Sequence, residues 1–195
     1  MISFDFQHTK KDSTLWHIDV DFHSKAENNY RDKVLLYKKD IEKDALTITF
    51  IMFNPGKLHS TKQQIKEDTT LRIIRDVFNN FNCKLEVLNI FNLNCTTLKE
   101  FRNKQDYWND NNPLWNKGEL SKYEPRHLIF LQWGCDKQKR FAYQYLNDVK
   151  KLLGNYKFKL VGIPTIDNNQ HPQSWQIQKK IGDYKILIKE ILKNS

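Results

Sequence analysis

The sequence is poor in cysteine: Cys83, Cys95 and Cys135 are odd in number, lie far apart and lack any Cys-x-x-Cys spacing. That argues against a disulfide framework and against a zinc or iron–sulfur centre built on thiolates. No segment approaches the roughly 18 consecutive apolar residues of a membrane span, and Met1 to Lys10 lacks the apolar stretch behind basic residues that a secretion signal needs. A soluble, cytoplasmic protein with reduced thiols and no membrane partner is expected. No internal repeat or low-complexity tract appears, so a solenoid has no support. A Walker loop, a Gly-x-Gly-x-x-Gly fingerprint and a Ser-His-Asp order are also missing, which removes the commonest kinase, dinucleotide and hydrolase readings. The six histidines are scattered, with none at ligand spacing from another, so neither a metal site nor a cofactor is expected.

What is present is a chain of 195 residues, 39% hydrophobic, enough for one domain with a substantial core. Its 32 Lys and Arg against 23 Asp and Glu give a formal charge of +9. A field of that sign attracts polyanions such as DNA, RNA or an acidic membrane, although a solvated Lys-rich surface accounts for it equally well.

Hydrophobic periodicity divides the chain into strands and helices. Trp16, Ile18, Val20 and Phe22 alternate with His17, Asp19, Asp21 and His23, the period of a strand with one buried face. A second apolar run, Val34 to Tyr37, follows. Leu46 to Phe53 is nearly continuous in β-branched and aromatic residues, as expected of a central strand covered on both faces. Asp68-Thr69 then offers an N-cap to a helix carrying Ile73, Ile74, Val77, Phe78 and Phe81. Leu85 to Phe91 is the next strand, with Thr97 and Glu100 as a capping box for a short helix. Residues 106–123 form an irregular insertion. Further strands are expected at His127 to Gln132 and Lys157 to Ile163, and helices at about Gln138 to Leu153 and Asp183 to Lys193. Strand and helix alternate, which predicts a three-layer α/β/α sandwich with a mostly parallel central sheet and an antiparallel N-terminal extension. One domain over residues 1–195 is expected: N-terminal strands in 1–45, a core in 46–175 and a C-terminal helix in 176–195.

In such a sheet the ligand site lies beyond the carboxyl ends of the strands. Four groups fall there: Asn54-Pro55-Gly56, Asn89 to Asn94, Trp133-Gly134 and His171-Pro172. Pro55 biases Asn54 toward extended geometry and removes a backbone donor, so the Asn54 carboxamide is projected past the sheet edge. Gly56 allows close approach to the backbone. Asn-Pro-Gly is equally ordinary turn chemistry. Asn89 interrupts an apolar strand, and a buried carboxamide must find partners for two donors and an acceptor. Those valences suit the Watson–Crick edge of a base, or a core Asn tying loops together. His171 sits in a polar loop, where a surface role is the plainer alternative. Phe53, Phe91 and Trp175 flank these positions as stacking surfaces or as core.

Taken in order, Ile51 to Gly56, Glu67 to Thr70, Val87 to Phe91, Gln132 to Gly134 and His171-Pro172 resemble a family of bacterial and phage proteins known only as a domain of unknown function, DUF1643. The resemblance runs from about Tyr30 to Trp175. Where that family has Asn-Pro-Ser and Asp-Pro-Thr, this chain has Asn54-Pro55-Gly56 and Asp68-Thr69-Thr70. The same order of loops is distantly similar to the uracil-DNA glycosylase superfamily. That similarity implies a uracil-DNA-glycosylase-like fold, DNA as partner and hydrolysis of the N-glycosidic bond of a flipped nucleotide. Asn54 then matches the residue that positions water, Asn89 the base-reading residue and His171 the stabiliser of the departing base. Gly56, Gly134 and Trp175 would meet the backbone or phosphates. Met52 stands where the superfamily has Gly, and the activating Asp of its main branch has no counterpart. Both departures favour one alternative, a module that binds a nucleobase, nucleotide or modified DNA without cutting it. A nucleoside-directed transferase is the other.

Overall fold

The computed structural model describes residues 2–9, 12–55, 60–61, 64–65, 69–95, 97–115, 128–131, 148, 151 and 159–161. Its main sheet has seven strands in the order β1-β2-β3-β7-β4-β8-β9. These are β1 (Ile2–Thr9), β2 (Asp12–Lys25), β3 (Asn28–Lys38), β4 (Leu46–Met52), β7 (Cys83–Asn89), β8 (Leu128–Leu131) and β9 (Lys159–Val161). Two-residue strands β5 (Ser60–Thr61) and β6 (Gln64–Ile65) form a separate pair.

The expected mostly parallel sandwich is corrected here, because the sheet is mixed. β1 with β2, β2 with β3 and β3 with β7 pair antiparallel, whereas β7 with β4, β4 with β8 and β8 with β9 pair parallel. The physical reason is the length of the first strands. β2 and β3 run 14 and 11 residues and are joined by a tight turn in which Ala26 takes a left-handed φ of 53°. A two-residue turn forces antiparallel pairing, so the polar stretch after Phe22 is hairpin rather than connecting loop. β3 then joins β7 through Val34, Leu35 and Leu36, which makes the hairpin part of the main sheet. Helices are few among the described residues: α1 (Thr69–Phe78) and α2 (Leu98–Asn103), with 3-10 turns at Gln105–Tyr107 and Pro113–Trp115. Most of the expected helix at 138–153, and all of that at 183–193, lies outside the described residues.

Side-chain alternation sends two apolar sets to opposite faces. One face carries Trp16, Ile18 and Val20 of β2, Val34 and Leu36 of β3, Ile48, Phe50 and Met52 of β4, and Cys83, Leu85 and Val87 of β7. Against it α1 buries Leu71, Ile73, Ile74, Val77 and Phe78, the 3.6-residue stripe that its sequence predicts. The other face carries Ile51, Phe53, Leu88 and Ile90 beneath Phe101, Trp108 and Leu114. There the cover is α2 and the turns of residues 105–115. Thr97 caps α2, its Oγ1 accepting from the Glu100 backbone N–H at 3.1 Å. β4 is therefore buried on both sides from Ile48 to Met52, as its unbroken apolar run predicts.

Candidate functional site

Strands β4 and β7 are parallel and in register from Leu46 opposite Cys83 to Met52 opposite Asn89. Their ladder continues past the strand ends, with Ile90 N–H donating to the Met52 carbonyl at 2.9 Å and Phe91 N–H to that of Phe53 at 3.0 Å. Asn54 and Asn89, 35 residues apart in sequence, thus emerge at the same carboxyl edge of adjacent strands.

Asn54 is half-buried. Its Nδ2 donates to the carbonyls of Pro55 and Cys95, at 3.2 and 3.4 Å. Two carbonyl acceptors fix which way the amide faces, and its Oδ1 has no partner among the described residues, leaving an acceptor to offer to a water or a ligand.

Asn89 is 0% exposed, and neither its Nδ2 nor its Oδ1 has a hydrogen-bond partner among the described residues. It ends β7 on the same face as Leu85 and Val87, beside Met52. Burying an amide without partners costs about 1–3 kcal/mol, so an unsatisfied native carboxamide needs a reason. Nearby Asn92 shows the contrast. It is equally buried, but its Nδ2 donates to Asp32 Oδ1 at 2.7 Å and to the Asp110 carbonyl at 2.6 Å, while its Oδ1 accepts from Asp110 N–H at 3.2 Å. Asn92 is structural; the Asn89 carboxamide is without a partner among the described residues.

The strand end is clamped by residues 108–115. Asn112 Nδ2 donates to the carbonyls of Asn89 and Ile90, both at 3.1 Å, and Trp115 Nε1 donates to Ile90 at 2.8 Å. Asn112 Oδ1 accepts from Leu114 N–H at 3.0 Å, turning the chain into its last 3-10 turn. Sequence reasoning held Asn92 only as part of the group Asn89 to Asn94 and missed Asn112. The available signal was the polar run Asn109 to Asn112 bounded by Trp108 and Trp115, since aromatics on both sides mark a packed loop rather than a solvated insertion.

Phe53 and Phe91 lie in the core. Their rings sit 5.3 Å apart and both contact Phe101, at 5.3 and 5.1 Å. Trp108 stacks on Phe101 at 4.8 Å and anchors its Nε1 on the Phe101 carbonyl. They form the floor beneath the strand ends. Burial pushes the Cys83 thiol up to about 12 and that of Cys95 up to about 11, so neither is a nucleophile at neutral pH. Gly56, Gly134, His171 and Trp175 lie outside the described residues. Among the described residues no group of three His, Cys, Asp or Glu side chains is placed to hold a metal ion, and no helix is long and apolar enough to cross a membrane.

The chain belongs to the family described as protein of unknown function (DUF1643), whose profile matches residues 35–173. That span takes in β4, Asn54, β7, Asn89 and the clamp. No curated protein and no solved structure gives a significant match.

Proposed function

We propose that this DUF1643 family member receives a flipped DNA nucleobase at the carboxyl edge of β4 and β7 and hydrolyses its N-glycosidic bond. The observation that carries the reading is the Asn89 carboxamide, fully buried and without a partner among the described residues. An amide offers a donor and an acceptor side by side, the complement of a base edge, and a flipped base is commonly read through such a buried group. Asn89 is enclosed, so a base reaches it only as the packing around its side chain opens.

Asn54 supplies the second role. Its amide N–H groups face two backbone carbonyls, which leaves Oδ1 to orient a water toward C1′. In the step itself the C1′–N bond breaks, the base leaves with the electron pair, water oxygen forms the new C1′–O bond, and the proton that the water gives up is taken up by the departing base. The sugar passes through an oxocarbenium-like state, so a weakly basic carbonyl oxygen suffices to guide the water. By resemblance, His171 stabilises charge on the departing base. The formal charge of +9 favours a phosphate backbone as partner.

The test uses single- and double-stranded oligonucleotides carrying uracil, hypoxanthine, alkylated or oxidised bases, followed by alkali treatment and gel analysis. Strand breaks that depend on Asn54 support excision. Binding that is lost in Asn89→Leu without any breaks replaces it with the non-cutting module. An absence of both breaks and binding across the panel overturns the nucleobase reading.

A further inference from the structure

On the sheet face that α1 covers, strand register sorts the side chains into rows. Val20, Val34, Val87 and Phe50 form one row across β2, β3, β7 and β4, apolar and buried throughout. The next row, at the carboxyl edge of β4 and β7, breaks the pattern: Phe22, Arg31, Asn89 and Met52. Arg31 reaches this face because β2 and β3 slip register between Asp21 and Phe22. Asp32 is the extra residue, so Arg31 stands opposite Phe22, which packs against the core of the α1 face. Arg31 and Asn89 are thus the next side chains on this face beyond the paired Val34 and Val87. Arg31 is 3% exposed and Asn89 0%.

A second guanidinium comes from α1. Arg75 is 1% exposed and lies one turn before Asn79, whose Oδ1 accepts from Trp16 Nε1 on β2 at 2.9 Å. Because α1 runs back from the end of β4 to the start of β7, its N-terminus lies at the edge that holds Arg31 and Asn89. Helical side chains lean toward the helix N-terminus. Arg31 Nε, Arg75 Nε and Nη1, and Asn89 Nδ2 and Oδ1 are the buried side-chain atoms that lack a hydrogen-bond partner among the described residues. All belong to these three residues. The arginines have interactions through other atoms, Arg75 Nη2 donating to Asp76 Oδ1 at 3.2 Å, whereas both ends of the Asn89 amide are idle.

We propose that Arg31, Asn89 and Arg75 form a buried site for a phosphate group between α1 and the ends of β3 and β7. Guanidinium groups are always charged, and two of them set in an apolar layer favour an oxyanion that accepts from both. Asn89 selects the anion. Its Nδ2 donates to any oxyanion, but its Oδ1 needs a donor in return. A phosphate group has its second pKa at about 6 and so carries a proton near that pH, which supplies the O–H. Sulfate and ionised carboxylates only accept. The site goes beyond the nucleobase reading and does not need it; a base read at Asn89 would compete with phosphate for the same amide.

Thermal melts of the full chain at about pH 6 and constant ionic strength test this, with inorganic phosphate, a nucleoside 5′-monophosphate, sulfate and chloride as added anions. Phosphate in one or both forms is expected to raise Tm in a saturable way, with a dissociation constant roughly tenfold or more below that of sulfate. A stronger effect of the nucleotide assigns the phosphate to a nucleotide, and a stronger effect of inorganic phosphate to the free ion. Asn89→Leu is expected to bind phosphate no better than sulfate, and Arg31→Met to lose the response to both. Equal wild-type shifts with phosphate and sulfate overturn the proposal, a result that needs no variant to fold. So does an Asn89→Leu protein that keeps the preference for phosphate.

Discussion

Asn112 Nδ2 sits 3.1 Å from the Asn89 carbonyl, so an asparagine whose buried side chain has no partner among the described residues has its backbone gripped by another asparagine 23 residues away. The grip fixes where the idle carboxamide stands without using it.

Asn89→Leu is expected to stabilise the free protein. It removes a buried amide that makes no hydrogen bond among the described residues and substitutes an apolar side chain of similar volume, worth about 1–3 kcal/mol. On a chain of this size that raises Tm by roughly 2–4 °C per kcal/mol. Differential scanning fluorimetry reads the shift, and a fall in Tm of that size would show that Asn89 is a satisfied structural residue. Asn92→Leu is the control and is expected to destabilise, because it removes the partner of Asp32 Oδ1 and of the Asp110 carbonyl and N–H.

Asn112→Ala strips the Asn89 carbonyl of its side-chain donor and leaves Ile90 with Trp115. A loss of about 1–3 kcal/mol in urea unfolding is expected. Asn112→Asp keeps the shape and the acceptor for Leu114 but loses the donors, so it is expected to fall close to Ala. Recovery of wild-type stability by Asp would place the importance of Asn112 in its turn rather than in its grip.

Acid is expected to loosen the clamp. The hydrogen bond from Lys25, followed by that from His23, holds the folded Asp110 carboxyl below its ordinary value. A carboxyl lowered on folding contributes stability above its unfolded pKa, near 3.9, and that contribution is lost as pH falls through the folded value. Thermal melts of the wild type should therefore drop more steeply below about pH 4 than those of Asp110→Asn. Parallel curves would mean that the Asp110 pairs are too solvated to matter.

Cys83 and Cys95 are expected to resist iodoacetamide at pH 8 in the native protein and to react after denaturation. Their thiols, pushed up to about 12 and about 11 chiefly by burial, hold almost no thiolate at that pH. Peptide mass spectrometry assigns each site, and fast native labelling of Cys95 would show that the loop beside Asn54 opens.

The sequence by itself determined several strands, though not β1: alternation marked β2, a nearly continuous β-branched and aromatic run marked β4 as buried on both faces, and Thr97 announced α2. It also pointed to Asn54 and Asn89, because a carboxamide at the end of an apolar strand is conspicuous in one dimension. Only the tertiary structure decided how the strands pair. Periodicity records which face of a strand is buried and is silent about the direction of its neighbour, so the mixed sheet was read as mostly parallel. The same limit hid His23, Asn112 and the role of Asn92. Their meaning lies in hydrogen bonds between residues 18 to 87 positions apart, and whether a buried amide is satisfied depends on which atoms folding brings within 3 Å of it.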